Sequence, residues 1–251
     1  MSVLLVEQDG PVRRFTLNRP EKRNAFNGEL LDAMLAAFSE TPGPEERVAV
    51  IQANGPAFCA GMDLAERGRA TGATTNIEDI LRAVEIWPLP VVGIVHGDAI
   101  AGGNELALHC DIVVASSRAR FGMSLAQIGL TTSWFLTKKL LETAGPVATR
   151  EILLLGEPLP ATRFYELGMI ARVAPPLELQ ATAEAIINRL AANAPLSVKT
   201  MKALILREMA FRDDIPHDDI KEMIETVRTS ADAKEGILAR LEKRDMRFSG
   251  R

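Results

Sequence analysis

An α/β fold with a helical C-terminal third is predicted by three observations. Short runs of continuously apolar, β-branched residues recur through the first half of the chain, helical periodicities stand between them, and strand signals nearly vanish beyond Thr137. Val3–Val6 and Val12–Leu17 read as two strands joined by the turn residues Asp9, Gly10 and Pro11. Asn27 is placed to cap a helix whose apolar positions Leu30, Leu31, Met34, Leu35 and Phe38 keep the helical period, and Pro42-Gly43-Pro44 ends it. Val48–Gln52, Val91–Val95 and Ile112–Ala115 are buried-strand patterns, with helical Ile80–Ile86 between the first two. Glu178–Asn193, Pro195–Glu208 and His217–Arg244 read as amphipathic helices.

Composition excludes several function classes. Of 251 residues, 47% are hydrophobic and 25% charged, which suits one compact core. Lys and Arg number 29 against 33 Asp and Glu, so no basic field exists to attract nucleic acid or an anionic membrane. The N-terminal stretch has acid where a secretory signal would be basic, and no run of about 18 apolar residues occurs. The expectation is a cytoplasmic protein without nucleic-acid or membrane partners. Cys59 and Cys110 lie in apolar runs without metal-ligand spacing and are expected to be buried core thiols.

The segment from Ile94 to Asp111 reads as a site. A buried strand runs into Gly102-Gly103 and then an apolar helix with one early carboxylate, Glu105. The first N–H groups of that helix lack partners, so Gly102 can offer its amide to a developing oxyanion, and Glu105, three residues on, shares its face. A carboxylate beside an oxyanion pocket is what proton transfer next to a carbonyl requires. A second loop, Asn54 to Leu64, follows a strand and is rich in small residues, a further place where amides can converge on an anion. His96, His109, Asp98 and Asp111 are read as structural, since each closes a strand or helix or lies beyond the carboxylate.

Asn18-Arg19-Pro20-Glu21-Lys22-Arg23-Asn24-Ala25, Ala57-Phe58-Cys59-Ala60-Gly61-Met62-Asp63-Leu64, Gly102-Gly103-Asn104-Glu105-Leu106-Ala107 and the terminal Asp232 to Gly236 with Leu241 to Arg244 resemble, in that order, the crotonase (enoyl-CoA hydratase/isomerase) superfamily. The resemblance implies a spiral of ββα units over residues 1–195 and a helical region over 196–251 that forms a homotrimer or a dimer of trimers. It implies an acyl-CoA substrate, CoA thioester chemistry with no other cofactor and no metal, and a thioester enolate held by the backbone amides of Ala60 and Gly102. Glu105 carries over as the acid/base, Lys22, Arg23 and Lys243 as contacts to CoA, and Ala25, Gly61, Met62, Asp63 and Leu64 as neighbours of the ligand.

Three places depart from the pattern, one of them Arg240, which stands where many members have an aromatic residue near the adenine and where an arginine could stack instead. Hydratases of this family carry a second glutamate where this chain has Leu125, and a glycine-rich stretch where it has Thr131-Thr132-Ser133-Trp134-Phe135-Leu136. These bulky residues are expected to reshape the acyl pocket, with Trp134 and Phe135 excluding water. The resemblance therefore implies fatty acyl-CoA hydration or isomerisation driven by one glutamate. The alternatives are an acyl-CoA binding protein with little turnover, or a decarboxylase or thioester hydrolase on the same fold.

Overall fold

The computed structural model describes residues 2–67, 75–212 and 215–250. The chain opens with the expected hairpin: β1 (Leu4–Asp9) and β2 (Val12–Leu17) pair antiparallel, Leu4 opposite Leu17 and Asp9 opposite Val12. A 3₁₀ turn (Pro20–Lys22) leads to α1 (Gly28–Ser39), where the Asn27 side chain accepts from the Leu30 N–H at 3.0 Å. Then come β3 (Val48–Ala53), α2 (Leu64–Arg67), α3 (Ile77–Ile86), β4 (Val91–Val95), β5 (Ala99–Ile100), α4 (Gly102–Leu108), β6 (Ile112–Ser116) and β7 (Arg120–Gly122). The second half holds α5 (Trp134–Arg150), β8 (Leu159–Pro160), α6 (Ala161–Glu166), β9 (Arg172–Ala174), α7 (Leu179–Ala192), α8 (Pro195–Met209), α9 (Asp218–Thr229) and α10 (Ala231–Glu242).

Six strands form one sheet in the order β1-β2-β3-β4-β6-β9, parallel from β2 onward. Parallel neighbours need crossover connections, which is why helices cover both faces. Along β3 the alternation is direct: Val48 and Val50 meet Leu179, Ala183 and Ile187 of α7, whereas Ala49 and Ile51 join the larger core beneath α1 and α3. Phe15, Phe38 and Trp87 anchor that core, with ring centroids 4.3 Å apart for the two phenylalanines and 5.1 Å for Phe38 and Trp87.

Two expectations are corrected. The chain beyond Thr137 is not wholly helical, because β8 and, in the last third, β9 lie within it, each too short to leave an alternation in the sequence. Nor is His217–Arg244 one helix. Ser230, at φ −61 and ψ 159, ends α9 and caps α10, its hydroxyl accepting from the Ala233 N–H at 3.0 Å.

A small second sheet, β5-β7-β8, carries the site. Helix α10 seats against the 3₁₀ turn Ala126–Ile128 at contact distance, since a Cβ on Gly236 would fall 2.1 Å from the Ile128 carbonyl oxygen. This contact brings the end of the chain to the wall of the cavity described below. Helix α8 is fastened differently: Lys202, buried, donates to Asp111 at 2.6 Å and to the Leu89 carbonyl at 3.2 Å.

Candidate active site

Two loops meet at the site, and the sequence fixes each from below. Asn24, fully buried in a left-handed conformation at φ 54, accepts from the Arg19 N–H and donates to the carbonyls of Asn54 and Ala57. It thereby ties the Asn18–Ala25 stretch to the Asn54–Leu64 loop. Arg19, also buried, donates to the Ala25 carbonyl and pairs with Asp63 at 3.3 Å. Asp63 in turn accepts from the Ala65 N–H at 3.2 Å at the start of α2.

The second loop enters through β5. The Ile100 N–H donates to the Cys59 carbonyl at 2.9 Å, and the Ala101 N–H to Gly122 at 2.7 Å. Ala101 is held at φ 49, ψ −118, a conformation L-residues rarely adopt, just before α4 begins. Gly61, at φ +87, lies so close that a Cβ there would be 3.2 Å from the Gly102 nitrogen.

Between the loops is a cavity of about 310 Å³. Ala60, Met62, Leu64, Gly102, Glu105 and Leu125 line it. Lys22, Arg23, Ala25, Gly61, Asp63 and Lys243 do not: Ala25 and Gly61 are buried in the loop packing, Asp63 is engaged with Arg19, and Lys22, Arg23 and Lys243 are exposed. Lys243 closes α10 in a left-handed conformation.

Backbone hydrogen bonding revises one expectation. The Ala60 N–H donates to the Arg23 carbonyl at 3.0 Å, so it is not available to a substrate oxygen. The Met62 N–H, two residues on and in the cavity wall, has no partner among the described residues, and neither has the Gly102 N–H. Loop composition alone cannot say which amide faces inward, because that depends on Phe26 pairing with Met62 across the loop, the Phe26 N–H donating to Gly61 at 2.8 Å.

Glu105 is 6% exposed, and among the described residues nothing hydrogen-bonds or ion-pairs with its carboxyl. Burial, and secondarily the negative charge of Glu78, pushes its pKa up to about 8, so near neutral pH the carboxyl holds a proton. Cys59, in the wall behind, is a neutral thiol: burial lifts its pKa to about 12. Both cysteines are buried and free.

Several neighbours were not legible as site residues. Glu78 and Asn76 at the start of α3, Ile128, and Arg228 from α9 line the cavity, and Arg240 of α10, which the sequence does mark, joins them. Thr131, Thr132, Ser133 and Leu136 enter it as expected of their stretch, and the Thr132 hydroxyl is buried without a partner. Trp134 and Phe135 do not. Trp134 stacks on His217 with centroids 4.5 Å apart, and Phe135 stacks on His109 at 5.1 Å with the Arg82 guanidinium over its ring. They point away because successive residues in the first turn of α5 lie about 100° apart, so both rings leave the face bearing Leu136, that of Phe135 turning to the core beside buried His109.

The remaining polar residues have structural contacts. His96 Nε2 lies 2.8 Å from the Gly55 carbonyl, and Asp98 pairs with Arg120 at 2.7 Å. His109 is buried with Nδ1 2.7 Å from the Glu105 carbonyl, and burial depresses its pKa to about 4, leaving it neutral. Among the described residues there is no cluster of His, Cys, Asp or Glu able to hold a metal, and no helix long and apolar enough to cross a membrane.

Comparison with known proteins agrees with this architecture. The family model described as enoyl-CoA hydratase/isomerase matches residues 7–251. The chain is 32% identical over 250 residues to the short-chain-enoyl-CoA hydratase of Clostridium acetobutylicum, covering 96% of this chain and 95% of that protein. It is 30% identical over 260 residues to the 2,3-dehydroadipyl-CoA hydratase of Escherichia coli, covering both in full. The crystal structure of carnitinyl-CoA hydratase from Mycobacterium avium superposes with a TM-score of 0.89 at 31% identity over the whole of both chains. With its spiral α/β core, its paired loops and a match running almost end to end, this chain belongs to the enoyl-CoA hydratase/isomerase family of the crotonase superfamily.

Proposed function

We propose that the protein is an acyl-CoA enzyme of the hydratase/isomerase type, in which the thioester oxygen is held by the backbone amides of Met62 and Gly102 and Glu105 moves a proton at the adjacent carbon. The observation that carries this reading is the Glu105 carboxyl, buried, unpaired and facing a cavity that two unengaged amides also reach. An unpaired buried carboxyl is costly to a fold, and a protein that only binds its ligand has no use for one. As negative charge develops on the thioester oxygen, fixed N–H donors stabilise it without reorganisation, each contributing about 2.7–4 kcal/mol in comparable sites.

The CoA moiety is assigned to the rim. Lys22 and Arg23 are exposed on the same stretch whose carbonyl anchors Ala60, so phosphates bound there would sit close to the cavity loop. Ala25 and Asp63 shape that stretch, Gly61 and Leu64 the loop, and Lys243 lies at the exposed end of α10. Leu196, Met201, Leu204 and Ile205 are exposed along α8, an apolar face suited to a second copy, which supports the trimer or dimer of trimers. Calorimetry with an acyl-CoA and the matching free acid tests the ligand class: much tighter binding of the thioester is expected, and equal affinity contradicts it.

A further inference from the structure

Hydration needs one group to take a proton from water and another to protonate the α-carbon, and Leu125 leaves the family's second carboxyl absent. The cavity nevertheless contains another. Glu78 is half buried in the first turn of α3, and its side chain lines the same cavity as Glu105. The cap of α3 does not use it: the Asn76 side chain accepts from the Glu78 N–H at 3.3 Å, and the carboxylate that closes the capping box belongs to Asp79. No hydrogen bond or ion pair engages the Glu78 carboxyl among the described residues. Both residues line one cavity, and the charge of Glu78 adds to the upward shift of the Glu105 carboxyl. The Thr132 hydroxyl, buried without a partner in the same wall, is a third polar group waiting for something to bind.

Resting on the acyl-CoA reading above, we propose that Glu78 is the second catalytic carboxyl of this site, working with Glu105 on a water held at the acyl β-carbon. The water oxygen bonds to the β-carbon of a 2-enoyl thioester while Glu78 takes one of its protons. The resulting enolate collapses as Glu105 gives its own proton to the α-carbon. Water is consumed, the double bond becomes single, and the proton on Glu78 returns to Glu105 through solvent to restore the starting state. This division suits two carboxyls in unlike surroundings, one sealed in the core and protonated, the other half open to water. The other ionisable groups facing Glu105 are the neutral Cys59 thiol behind it and the Arg228 and Arg240 guanidinium groups across the cavity.

The test uses the full-length protein, the Glu78→Gln and Glu105→Gln variants, and the double variant Glu78→Gln with Leu125→Glu. Glu78→Gln should lower kcat for hydration by about 10²–10⁴-fold while leaving KM within about threefold. Leu125→Glu in that background should recover about tenfold or more by placing a carboxyl at another point of the same wall. Infrared titration of the Glu105 carboxyl, assigned by its loss in Glu105→Gln, reports the pairing without turnover and should move to lower pH in Glu78→Gln. Unchanged kcat in a folded Glu78→Gln variant, with the unaltered protein active, overturns the role of Glu78 and spares the acyl-CoA reading. Failure of the unaltered protein to turn over any 2-enoyl-CoA overturns the role of Glu78, and failure on 3-enoyl-CoA esters as well overturns the acyl-CoA reading.

Discussion

A Cβ on Gly103 would lie 2.2 Å from the carbonyl oxygen of Cys59, so the two loops of the site touch at a point where only glycine fits. At the neighbouring Gly102 a Cβ would meet the Cδ1 atom of Ile77 at 2.6 Å, the movable end of a side chain. Gly103→Ala is therefore expected to cost about 2–3 kcal/mol and to pull the Met62 and Gly102 amides out of register, whereas Gly102→Ala costs less than about 1.5 kcal/mol. Chemical denaturation of the two variants checks the order; equal costs would contradict the close approach.

Glu105→Gln keeps the shape of the side chain and removes the proton transfer proposed for it. Turnover should drop by about 10²–10⁴-fold with acyl-CoA affinity nearly unchanged. Steady-state kinetics together with calorimetry separate the two, and an unchanged rate places the chemistry elsewhere.

Stability carries the signature of the same group. Folded, Glu105 keeps its proton to about pH 8, against 4.5 for the ordinary carboxyl, so over that window the folded chain holds more protons than the unfolded one and stability falls as pH rises. At about 1.4 kcal/mol per pH unit the loss is at most roughly 5 kcal/mol, present in full only above the folded value. Glu105→Gln should flatten this slope, making the variant the more stable protein at pH 9. Urea titrations at several pH values read this directly, and parallel curves for the two proteins would show that the carboxyl is ionised in the folded state.

Lys202 and Asp111 form a third checkable pair. Burial pushes the Lys202 amine down and the Asp111 carboxyl up, each offset in part by the other's charge. Lys202→Met strands Asp111, whose side chain is 30% exposed, and should cost about 2–3 kcal/mol, below the roughly 3–5 of a fully buried pair. Adding Asp111→Asn should recover part of that loss, and strict additivity would deny the coupling.

How much of this was legible in the sequence depended on the range of the interaction. Asn27 and the spacing of Leu30, Met34 and Phe38 announce α1 because cap and period are local, and the unbroken apolar run Val48 to Ile51 reflects burial on both faces. Arg172–Ala174 leaves no such trace, being three residues added to a sheet edge by β6. Glu105 stood out because a lone acid in an apolar helix is unusual, whereas Glu78 sits on an amphipathic helix among Asp79 and Glu85, where acids are ordinary. Only the packing of α3 against the site distinguishes it. Likewise the loop composition pointed to amides without saying that Arg23 occupies that of Ala60 and leaves that of Met62 free.

The central claim is that this cavity performs proton transfer on an acyl-CoA. Incubating the unaltered protein with saturated, 2-enoyl, 3-enoyl and malonyl-type CoA esters, followed by mass detection and location of the double bond, tests it most directly. The account predicts that a 2-enoyl-CoA gains the mass of one water, or that a 3-enoyl-CoA shifts its double bond into conjugation, and that Glu105→Gln abolishes the change. Recovery of every ester unaltered, although bound, would contradict it.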